Sequence, residues 1–437
     1  MAVERAPYLD YIEEISYPEG TETGSDIPLF IIKSSNTVSE LNADSIVKYR
    51  SYKAFAGQGG YNIDGNPDEL TRLGDDFKEA NKVISDFFTE NSMYSSMING
   101  DIYAPYIYVI DIGNNATQER YEKAIEISGM QKNVTLLAIL GTEDINFMNA
   151  LKQKVMSDTK QSLLRIAYFP ISGPGELTTT FAIGKNSLGS EVVYNSTDEG
   201  YSDLFTTEEG KSVPKQGTKV YGGADETYAQ YIQRCQAICE KVNSPRIAIV
   251  EKQFFGKTIA KICCTPYFEE PGYVGYKTIV PGECRSRTPE ERDELFNAGI
   301  IFNEDDALLS TITPRICLAT STAWGIKNPE SRLNDALIHA RRNVDHHVRH
   351  IIKILAPQLK RNETSVTIRY LQTAIDEYLD NELTNGNIME YTVNVIESEI
   401  NPYALLVEGK ITPVNSTLAI TFSNYVGQPY AIATDYV

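Results

Sequence analysis

The four histidines of the chain lie within residues 332–361, and they are the first residues whose type and spacing could do chemistry. His346 and His350 stand four residues apart, so a helix would place both imidazoles on one face, as in many zinc sites. No carboxylate follows His346 in the manner of an HExxH motif. Arg349 lies between the two histidines and would repel a cation. We therefore expect neither a metal ion nor a cofactor.

An acidic turn at Asp111 is the strongest sign of an enzyme. The sequence Asp111-Ile-Gly-Asn-Asn115 follows an apolar segment and resembles the phosphate-binding turn of sugar-kinase and actin-like ATPases. Those proteins also need a second acidic turn and an adenosine-binding glycine pair, and we find neither in the sequence. An Asp-x-Gly turn after a strand is usually only a turn. An actin-like ATPase that uses Asp111 stays an alternative, although we expect the protein not to be an enzyme.

Other sequence motifs for catalysis are incomplete. Gly184-Lys185 lacks the upstream glycine and the following Ser or Thr of a P-loop. The segment Ser172-Gly-Pro-Gly175 is a turn-rich loop and lacks the pattern of a nucleophile elbow. Because all histidines lie in one stretch, a serine or cysteine nucleophile would have to take its base from there. The motifs thus argue against catalysis.

The histidine-bearing stretch is predicted to form one amphipathic helix that ends at Pro357. Proline lacks an N–H group and disfavours the α conformation of the residue before it. Apolar residues recur at spacings of three or four, which places them on one face, and basic residues recur in the same way on the opposite face. The apolar face consists of Leu337, Ala340, Val344, Val348, Ile351 and Leu355. The basic face consists of Arg342, His346, Arg349 and Lys353, and we expect it to point outward.

Positive charge is concentrated in this stretch. It carries a formal charge of +5, while the whole chain carries −19. A solvated helix face is the ordinary explanation of such a stripe. On so acidic a chain, however, a basic face also suits contact with an acidic protein. The same acidic balance argues against nucleic acid or an anionic membrane as the main partner.

Length and composition indicate a soluble globular protein. The 437 residues can hold two to three domains, and 42% hydrophobic with 23% charged residues is typical of such proteins. The N-terminus has neither a basic nor an apolar signal-peptide region, and the longest apolar run, residues 134–140, is too short to span a bilayer. We therefore expect no membrane insertion and a cytoplasmic location at first. The cysteines form no CxxC pair, which favours buried, reduced thiols.

The pattern in the middle of the chain predicts an α/β fold class, with α+β as the alternative class. Alternating strands and helices of this kind form a parallel or mixed sheet covered by helices. The predicted strands are residues 27–33, 107–112, 134–140, 163–169, 246–250, 258–263 and 315–319. The predicted helices are residues 40–55, 69–90, 117–127, 145–156, 226–242 and 290–297, the last capped by Thr288 with Glu291. Residues 172–222 are predicted to be surface hairpins and loops.

Both ends of the chain carry detached strand patterns. A second helix, residues 364–383, is closed by Gly386 and precedes strand-like segments at 391–396, 403–412 and 418–422. The last segment alternates as a half-buried edge strand does, and its apolar residues are Leu418, Ile420 and Phe422. Residues 1–25 are predicted to form an extended arm whose strand-forming residues include Tyr11, Ile12, Glu13 and Ile15. Either segment could complete a sheet of a neighbouring subunit by strand addition.

These ends resemble the sheath proteins of contractile tails, as found in phages, R-type bacteriocins and related injection systems. The N-terminal resemblance is the arm, a glycine-containing loop and the apolar strand IPLFIIK. The C-terminal resemblance runs from Thr288 onward and follows this order: a strand into Trp324-Gly325, a helix with Arg341-Arg342, a second helix and glycine turn, Asn401-Pro402, a strand with Gly409, and Pro413 before the last strand. Ile326-Lys327 departs from the Arg-Thr that the family often has.

The resemblance implies a domain plan and a function. Residues 26–100 would begin a sheath core that residues 288–412 complete, with a variable α/β outer domain at 101–287 and arms at 1–25 and 413–437. The protein would form stacked hexameric rings around an inner tube and contract from a metastable extended state to drive the tube through a target envelope. The basic face would contact the tube, and both arms would contact neighbouring subunits.

The same resemblance implies partners and a location. Besides further copies of the chain and the tube protein, the expected partners are baseplate and tail terminator proteins, without nucleic acid. Assembly would take place in the host cytoplasm, before the protein becomes part of a virion or tail-like particle. A tail-tube or baseplate component is the nearer alternative to a sheath subunit.

Overall fold

A computed structural model describes residues 26–58, 74–97, 104–160, 163–177, 179–186, 188–208, 211–271, 285, 287–306, 311–315, 337–358, 365–397, 405–414, 423–424 and 432–433. The strands are β1 (Ile27–Ile32), β2 (Ile46–Tyr49), β3 (Ile107–Asp111), β4 (Val134–Ile139), β5 (Ile166–Ile171), β6 (Thr180–Lys185), β7 (Glu191–Asn195), β8 (Phe205–Glu208), β9 (Lys211–Pro214), β10 (Lys219–Gly222), β11 (Ile247–Glu251), β12 (Ile300–Asp306), β13 (Thr311–Arg315), β14 (Ile388–Glu397), β15 (Leu405–Pro413), β16 (Ser423–Asn424) and β17 (Ile432–Ala433). The helices are α1 (Tyr52–Gln58), α2 (Gly74–Met97), α3 (Gln118–Ser128), α4 (Ile145–Lys160), α5 (Tyr228–Val242), α6 (Phe255–Cys263), α7 (Pro289–Ala298), α8 (Ile338–Leu355) and α9 (Ser365–Thr384).

Eight strands form the central sheet in the order β13-β12-β11-β5-β4-β1-β3-β2. The inner strands are parallel to one another, whereas β2 and β13 add to the two edges in antiparallel orientation. Within it, β3-β1-β4-β5-β11 repeats the 2-1-3-4-5 order of one common doubly wound sheet. The predicted α/β fold class is therefore confirmed.

Helices cover both faces of the central sheet. In β1, Leu29 and Ile31 point to the face that carries α3, α4, α5 and α7. Phe30 and Ile32 point to the other face, where α1, α2 and α6 pack. Because each inner strand is buried on both faces, its sequence is a continuous apolar run, as the sequence pattern indicated. We call this three-layer assembly of α1–α7 and the central sheet the α/β body.

Two local predictions in the α/β body are wrong. Residues 258–263 belong to the helix α6 and not to a strand. All six of them are buried, and a short, mostly apolar run of this length can belong either to a buried strand or to a buried helix. Residues 40–55 form a short 3₁₀ turn, β2 and the start of α1 in place of one helix, because β2 pairs with β3 at the edge of the sheet.

Several other local predictions are confirmed. Thr288 and Glu291 form the capping box of α7. Residues 180–222 form the small sheets β10-β6-β7 and β8-β9. The four cysteines in the described residues are buried free thiols, as expected: Cys235, Cys239, Cys263 and Cys264. The strand predicted at 315–319 overlaps β13 only at Arg315, because residues 316–319 lie outside the described residues.

The C-terminal unit, which we define as α9 with the β14–β15 hairpin, has a small core of its own. Side chains of α9 pack on one face of the hairpin, and Ile351 of α8 joins them. The core residues are Ile351, Leu371, Ile375, Leu379, Ile388, Val393 and Val395. Gly386, with a φ of 75°, closes α9 as predicted.

The central sheet extends across the predicted domain boundaries. The central sheet joins β1 and β2 to β3, β4, β5 and β11, and then to β12 and β13. Boundaries at 100/101 and 287/288 therefore run through one hydrogen-bonded sheet. Strand β1 pairs with both β3 and β4, so residues 26–100 and residues 101–287 contribute to the same sheet, and the division into domains stays a prediction.

Candidate functional site

Helix α8 lies at the end of the central sheet that is formed by the N-terminal ends of its parallel strands. The Arg342 Nε atom donates to Asp26 Oδ2 at 2.6 Å, and Asp26 immediately precedes β1. A second guanidinium nitrogen, Nη2, donates to the carbonyl oxygen of Thr265, after α6, at 2.7 Å. Burial opposes the ionisation of Asp26, but the charges of Arg342 and Arg349 hold the pKa of its carboxyl below the usual value. This buried ion pair fixes α8 to the entry of β1.

The same helix contacts the residues that precede two more strands. Asp345 forms a two-pronged ion pair with Arg246, which immediately precedes β11, and Nη2 of Arg246 lies 2.9 Å from Asp345 Oδ1. Arg349 Nη1 donates to the carbonyl oxygen of Leu164, before β5, at 3.0 Å. Paired charges and bonded carbonyls make burial of these polar groups tolerable. Helix α8 is thus bonded to the residues just before the N-terminal ends of β1, β5 and β11.

These contacts correct the predicted outward orientation of the basic face. Arg342 is buried, and Arg349 and His346 are partly buried. Lys353 is the member of this face that is exposed. The reason is that a carboxylate and two carbonyl oxygens of the α/β body lie next to this face, and the basic side chains bind to them. A contact between the face and an inner tube stays a prediction, and the structure leaves Lys353 accessible for it.

Three histidines of α8 join the α/β body to the C-terminal unit through tyrosine rings. His346 stacks on Tyr267 of the body, with ring centroids 3.6 Å apart and planes at 4°. His350 stacks on Tyr378 of α9 at 3.9 Å and 6°. Between them, Nδ1 of His347 is hydrogen-bonded to the Tyr378 hydroxyl at 2.7 Å. Both candidate zinc ligands, His346 and His350, therefore stack on different tyrosines.

Burial of the histidine rings lowers their tendency to take up a proton. Burial, reinforced by the charge of Arg349, lowers the pKa of His346 to about 2. Burial lowers the pKa of His347 to about 4, although Glu382 opposes that change. Both rings are neutral at pH 7. They act as aromatic packing groups between the two parts of the molecule.

Hydrogen bonds around the glycine turn complete this connection. Asn343 of α8 donates through Nδ2 to the carbonyl oxygen of Asn387 at 2.8 Å. The Tyr267 hydroxyl donates to Glu382 Oε2 at 2.6 Å. Asn387 Nδ2 donates to the same carboxylate at 3.0 Å. The α/β body, α8 and the C-terminal unit are therefore joined by both aromatic and polar contacts.

The β14–β15 hairpin is the least covered part of the C-terminal unit. Within the described residues, β14 and β15 pair only with each other. Ile396 and Leu406 face each other across the ladder on the side away from α9, and they are 41% and 40% exposed. Gly409 permits close contact of the strands, because a Cβ there would lie 2.2 Å from the carbonyl oxygen of Thr392. The hairpin is a narrow sheet with two outer edges.

The turn at Asp111 binds parts of its own chain. The carboxylate accepts hydrogen bonds from Ser34 Oγ at 2.7 Å, Asn36 Nδ2 at 3.1 Å and the Gly113 amide at 2.8 Å. Gly113 has a φ of 74°, which favours glycine. These bonds tie the end of β3 to the segment after β1. Asp111 therefore serves as a turn residue here.

Sequence reasoning missed the residues that hold α8 in place. Asp26 and Arg246 stand alone before apolar strands, and no local pattern marks them. Their partners on α8 lie 316 and 99 residues away in sequence. The one available signal was Asp345, an acidic residue within a basic helix. The arm residues Tyr11, Ile12, Glu13, Ile15, Leu418, Ile420 and Phe422, together with Trp324, lie outside the described residues.

The structure is similar to chains of three solved contractile assemblies. It aligns with a chain of the anti-feeding prophage (AFP) baseplate with a TM-score of 0.55 and 14% identity, covering 97% of this chain and 100% of that one. A chain of the AFP helical sheath in the contracted state gives 0.53 and 15%, with coverage of 96% and 98%. A chain of the PVC sheath complex, from an extracellular contractile injection system in the contracted state, gives 0.55 and 14%, with coverage of 98% and 99%.

The chain has the fold of contractile sheath proteins. The resemblance seen in the sequence is confirmed at this level, and the similarity to the sheath fold extends over nearly the whole chain. No protein-family model and no curated protein matches the sequence. In the described residues, no helix has both the length and the apolar character needed to cross a bilayer.

Proposed function

We propose that the protein is a structural subunit of a contractile tail sheath. It polymerises as stacked hexameric rings around an inner tube, and contraction from a metastable extended state drives the tube through a target envelope. Similarity to the sheath fold over nearly the whole chain carries this proposal. The structural neighbours belong to sheath and baseplate assemblies, which supports self-assembly and association with a baseplate.

The β14–β15 hairpin supports assembly by strand addition. Within the described residues, neither outer edge of this two-stranded sheet pairs with a further strand, so each edge can bind an extended segment of another chain. We infer that the arms at 1–25 and 413–437 add to hairpins of neighbouring subunits. Tyr11, Ile12, Glu13 and Ile15 supply one such strand, and Leu418, Ile420 and Phe422 the other. The subunits would then stay linked while they move.

Helix α8 supports the transmission of movement within a subunit. Its first residue, Ile338, packs in the core of the α/β body, and Ile351 packs in the core of the C-terminal unit. Its Arg342 holds Asp26, the residue at which the N-terminal arm joins β1. We infer that load on the arm passes through this ion pair into α8 and so reaches the hairpin.

The tube contact is proposed at the exposed end of α8. Lys353 is exposed and basic, so it can face an acidic tube protein, whereas buried Arg342 holds the fold together. A single exposed ion pair contributes only about 0.2–1 kcal/mol. Every subunit repeats the contact, so weak terms add along the tube. Assembly is proposed to take place in the host cytoplasm, with tail terminator proteins closing the polymer.

The proposed function is tested by electron microscopy of the purified full chain with its cognate tube protein. We expect tubes or rings from the wild type. Deletion of residues 1–25 or 418–437 should leave a folded monomer that forms no long polymer, since each deletion removes one added strand. Normal tubes from either deletion would contradict strand addition. A wild-type protein that remains monomeric with tube protein present would contradict the sheath function itself.

The tube contact has its own test. Lys353→Glu should reduce coating of tubes at low salt, and the difference from wild type should shrink at 1 M salt, where the screening length falls to about 3 Å. Lys219→Glu is the matched control, because it reverses another exposed lysine, in β10 of the small sheet β10-β6-β7. Equal coating by both variants at low salt would contradict a tube contact at Lys353.

The alternative of an actin-like ATPase is tested in the same preparation. The oxygens of Asp111 accept bonds from Ser34, Asn36 and Gly113, which supports a turn role. We expect no ATP turnover and no change of assembly in Asp111→Ala, provided that the variant stays folded. ATP turnover that this substitution abolishes would favour the enzyme.

A further inference from the structure

One outer edge of the β14–β15 hairpin is already occupied by a side chain of α9. Gln372 donates through Nε2 to the carbonyl oxygen of Val393 at 2.9 Å. Its Oε1 atom accepts from the amide of Val395 at 2.8 Å. One carboxamide thus binds a C=O and an N–H of β14 that are separated by a single residue.

These two backbone groups belong to the outer edge of β14. The register pairs Val393 with Gly409 and Val395 with Val407. In an antiparallel ladder, alternate pairs direct their N–H and C=O groups away from the partner strand. The bonds to Gln372 identify Val393 and Val395 as such residues. An added strand would use the same C=O and N–H groups. One residue of a parallel strand would bind both of them, whereas an antiparallel strand would bind them through two different residues.

The Gln372 carboxamide is held in this position by a further bond. Nε2 also donates to the Asp376 carboxylate, with distances of 2.9 and 3.0 Å to its two oxygens. Asp376 lies one helical turn after Gln372, so α9 itself orients the amide. A primary amide has two donor hydrogens and an acceptor oxygen, and the three partners use both hydrogens and the oxygen. The side chain therefore imitates one residue of a parallel strand.

We propose that Gln372 is a gate on the outer edge of β14, which a strand from a second copy of this chain must displace during assembly. This proposal rests on the proposed function, since it requires that subunits add strands to the hairpin. An unprotected edge strand invites pairing with any extended chain. Gln372 satisfies the middle of the edge in the monomer and slows such pairing. The incoming strand replaces two hydrogen bonds of a side chain with backbone bonds along the whole edge.

The test compares Gln372→Met with wild type in polymerisation and hydrogen exchange. Methionine keeps the length and helix propensity of the side chain but removes both bonds to β14. We expect polymerisation to begin at a lower protein concentration, with a nucleation phase shortened several-fold. In the monomer, the Val395 amide should exchange about five- to tenfold faster, the size expected for loss of one hydrogen bond worth about 1 kcal/mol.

Two control variants distinguish an effect specific to the Gln372 bonds from a general effect of substitution in α9. Asn381→Met replaces another side-chain amide, at an exposed position of α9, and it should behave as wild type. Asp376→Asn removes the charge that orients the amide, and it should shift both measurements in the same direction by less than Gln372→Met.

The outcomes distinguish this proposal from the proposed function. If wild type and all variants stay monomeric, the sheath function and the gate both fail. If wild type polymerises but Gln372→Met polymerises no faster, the gate is wrong and the sheath function stands. A polymer structure in which Gln372 still binds Val393 and Val395 would also overturn the gate.

Discussion

The α/β body and the C-terminal unit differ in how completely each covers its own sheet. In the body, helices lie on both faces, and Leu29 and Phe30 of β1 are fully buried. In the C-terminal unit, α9 covers one face of the hairpin, and Ile396 and Leu406 stay exposed on the other. The apolar residues of the central sheet are therefore covered by helices of the body itself. The C-terminal unit has backbone and apolar surface left for contacts with other molecules.

Helix α8 belongs to both regions, and its buried ion pairs should show the largest effect on stability. Asp345→Leu leaves the Arg246 guanidinium buried without its carboxylate, which we expect to cost about 3–5 kcal/mol in the free energy of unfolding. The double variant Arg246→Met/Asp345→Leu removes both charges and should recover most of that loss. Urea denaturation measures both values. A double variant as unstable as the single one would show that the pair itself, and not an unpaired charge, carries the stability.

A close helix contact inside the α/β body should show the next largest effect. A Cβ at Gly256 of α6 would lie 2.1 Å from the carbonyl oxygen of Val83 in α2. Gly256→Ala should therefore force the two helices apart and cost about 1–3 kcal/mol. Gly173→Ala is the control, because its Cβ would meet only the flexible Glu176 side chain, at 3.3 Å. Equal stability of the two variants would contradict the close packing of α2 on α6.

The corresponding change in the hairpin should have a local effect. In Gly409→Ala the new methyl group would lie 2.2 Å from the carbonyl oxygen of Thr392, so the two strands must separate there. We expect amide exchange in residues 388–397 to rise about tenfold or more, while exchange in β4 stays unchanged. Faster exchange in β4 as well would mean that the hairpin and the body unfold as one unit.

Many of the body's elements could be predicted from the sequence, but the contacts of α8 could not. Apolar runs such as 134–140 identify inner strands, because burial on both faces leaves no other pattern. For α8, amphipathic spacing separated apolar from basic residues, yet it predicted that the basic face points outward. That face meets Asp26, which lies 316 residues away from Arg342. Helix α6 shows a related limit, since a short, mostly apolar, buried run can belong either to a strand or to a helix.

The gate at Gln372 was also invisible in the sequence. A glutamine on an amphipathic helix is ordinarily a solvated residue, and only the register of β14 shows which backbone groups it binds. The Asp111 turn shows the opposite case, because its Asp-x-Gly spacing alone favoured a turn over a phosphate site. Local chemistry could therefore be predicted, whereas pairings between distant segments required the fold.

Low pH should weaken the connection between the two regions. Near neutral pH we expect this change in the free energy of unfolding to be the smallest of the predicted effects. The pKa values of His346 and His347 in the folded protein, about 2 and about 4, lie below the ordinary histidine value of 6.5. The unfolded chain therefore binds more protons below pH 6.5. Stability from the neutral rings is complete above that pH and is lost as the pH falls toward the folded values.

The measurement for this effect is the free energy of unfolding between pH 7 and 4. Each histidine contributes a slope of up to about 1.4 kcal/mol per pH unit, and less than that above pH 6. His346→Phe keeps an aromatic ring for stacking on Tyr267 but removes one titrating group, so its slope should be smaller. An unchanged slope would show that His346 does not stay neutral in the folded protein.

The account depends most directly on the claim that the hairpin is completed by other subunits while the α/β body is complete alone. Amide hydrogen exchange of monomer and polymer, measured on the same wild-type protein, tests it. We predict strong additional protection in β14 and β15 on polymerisation, with β1 and β4 equally protected in both states. A polymer whose hairpin amides exchange as fast as those of the monomer would contradict the account.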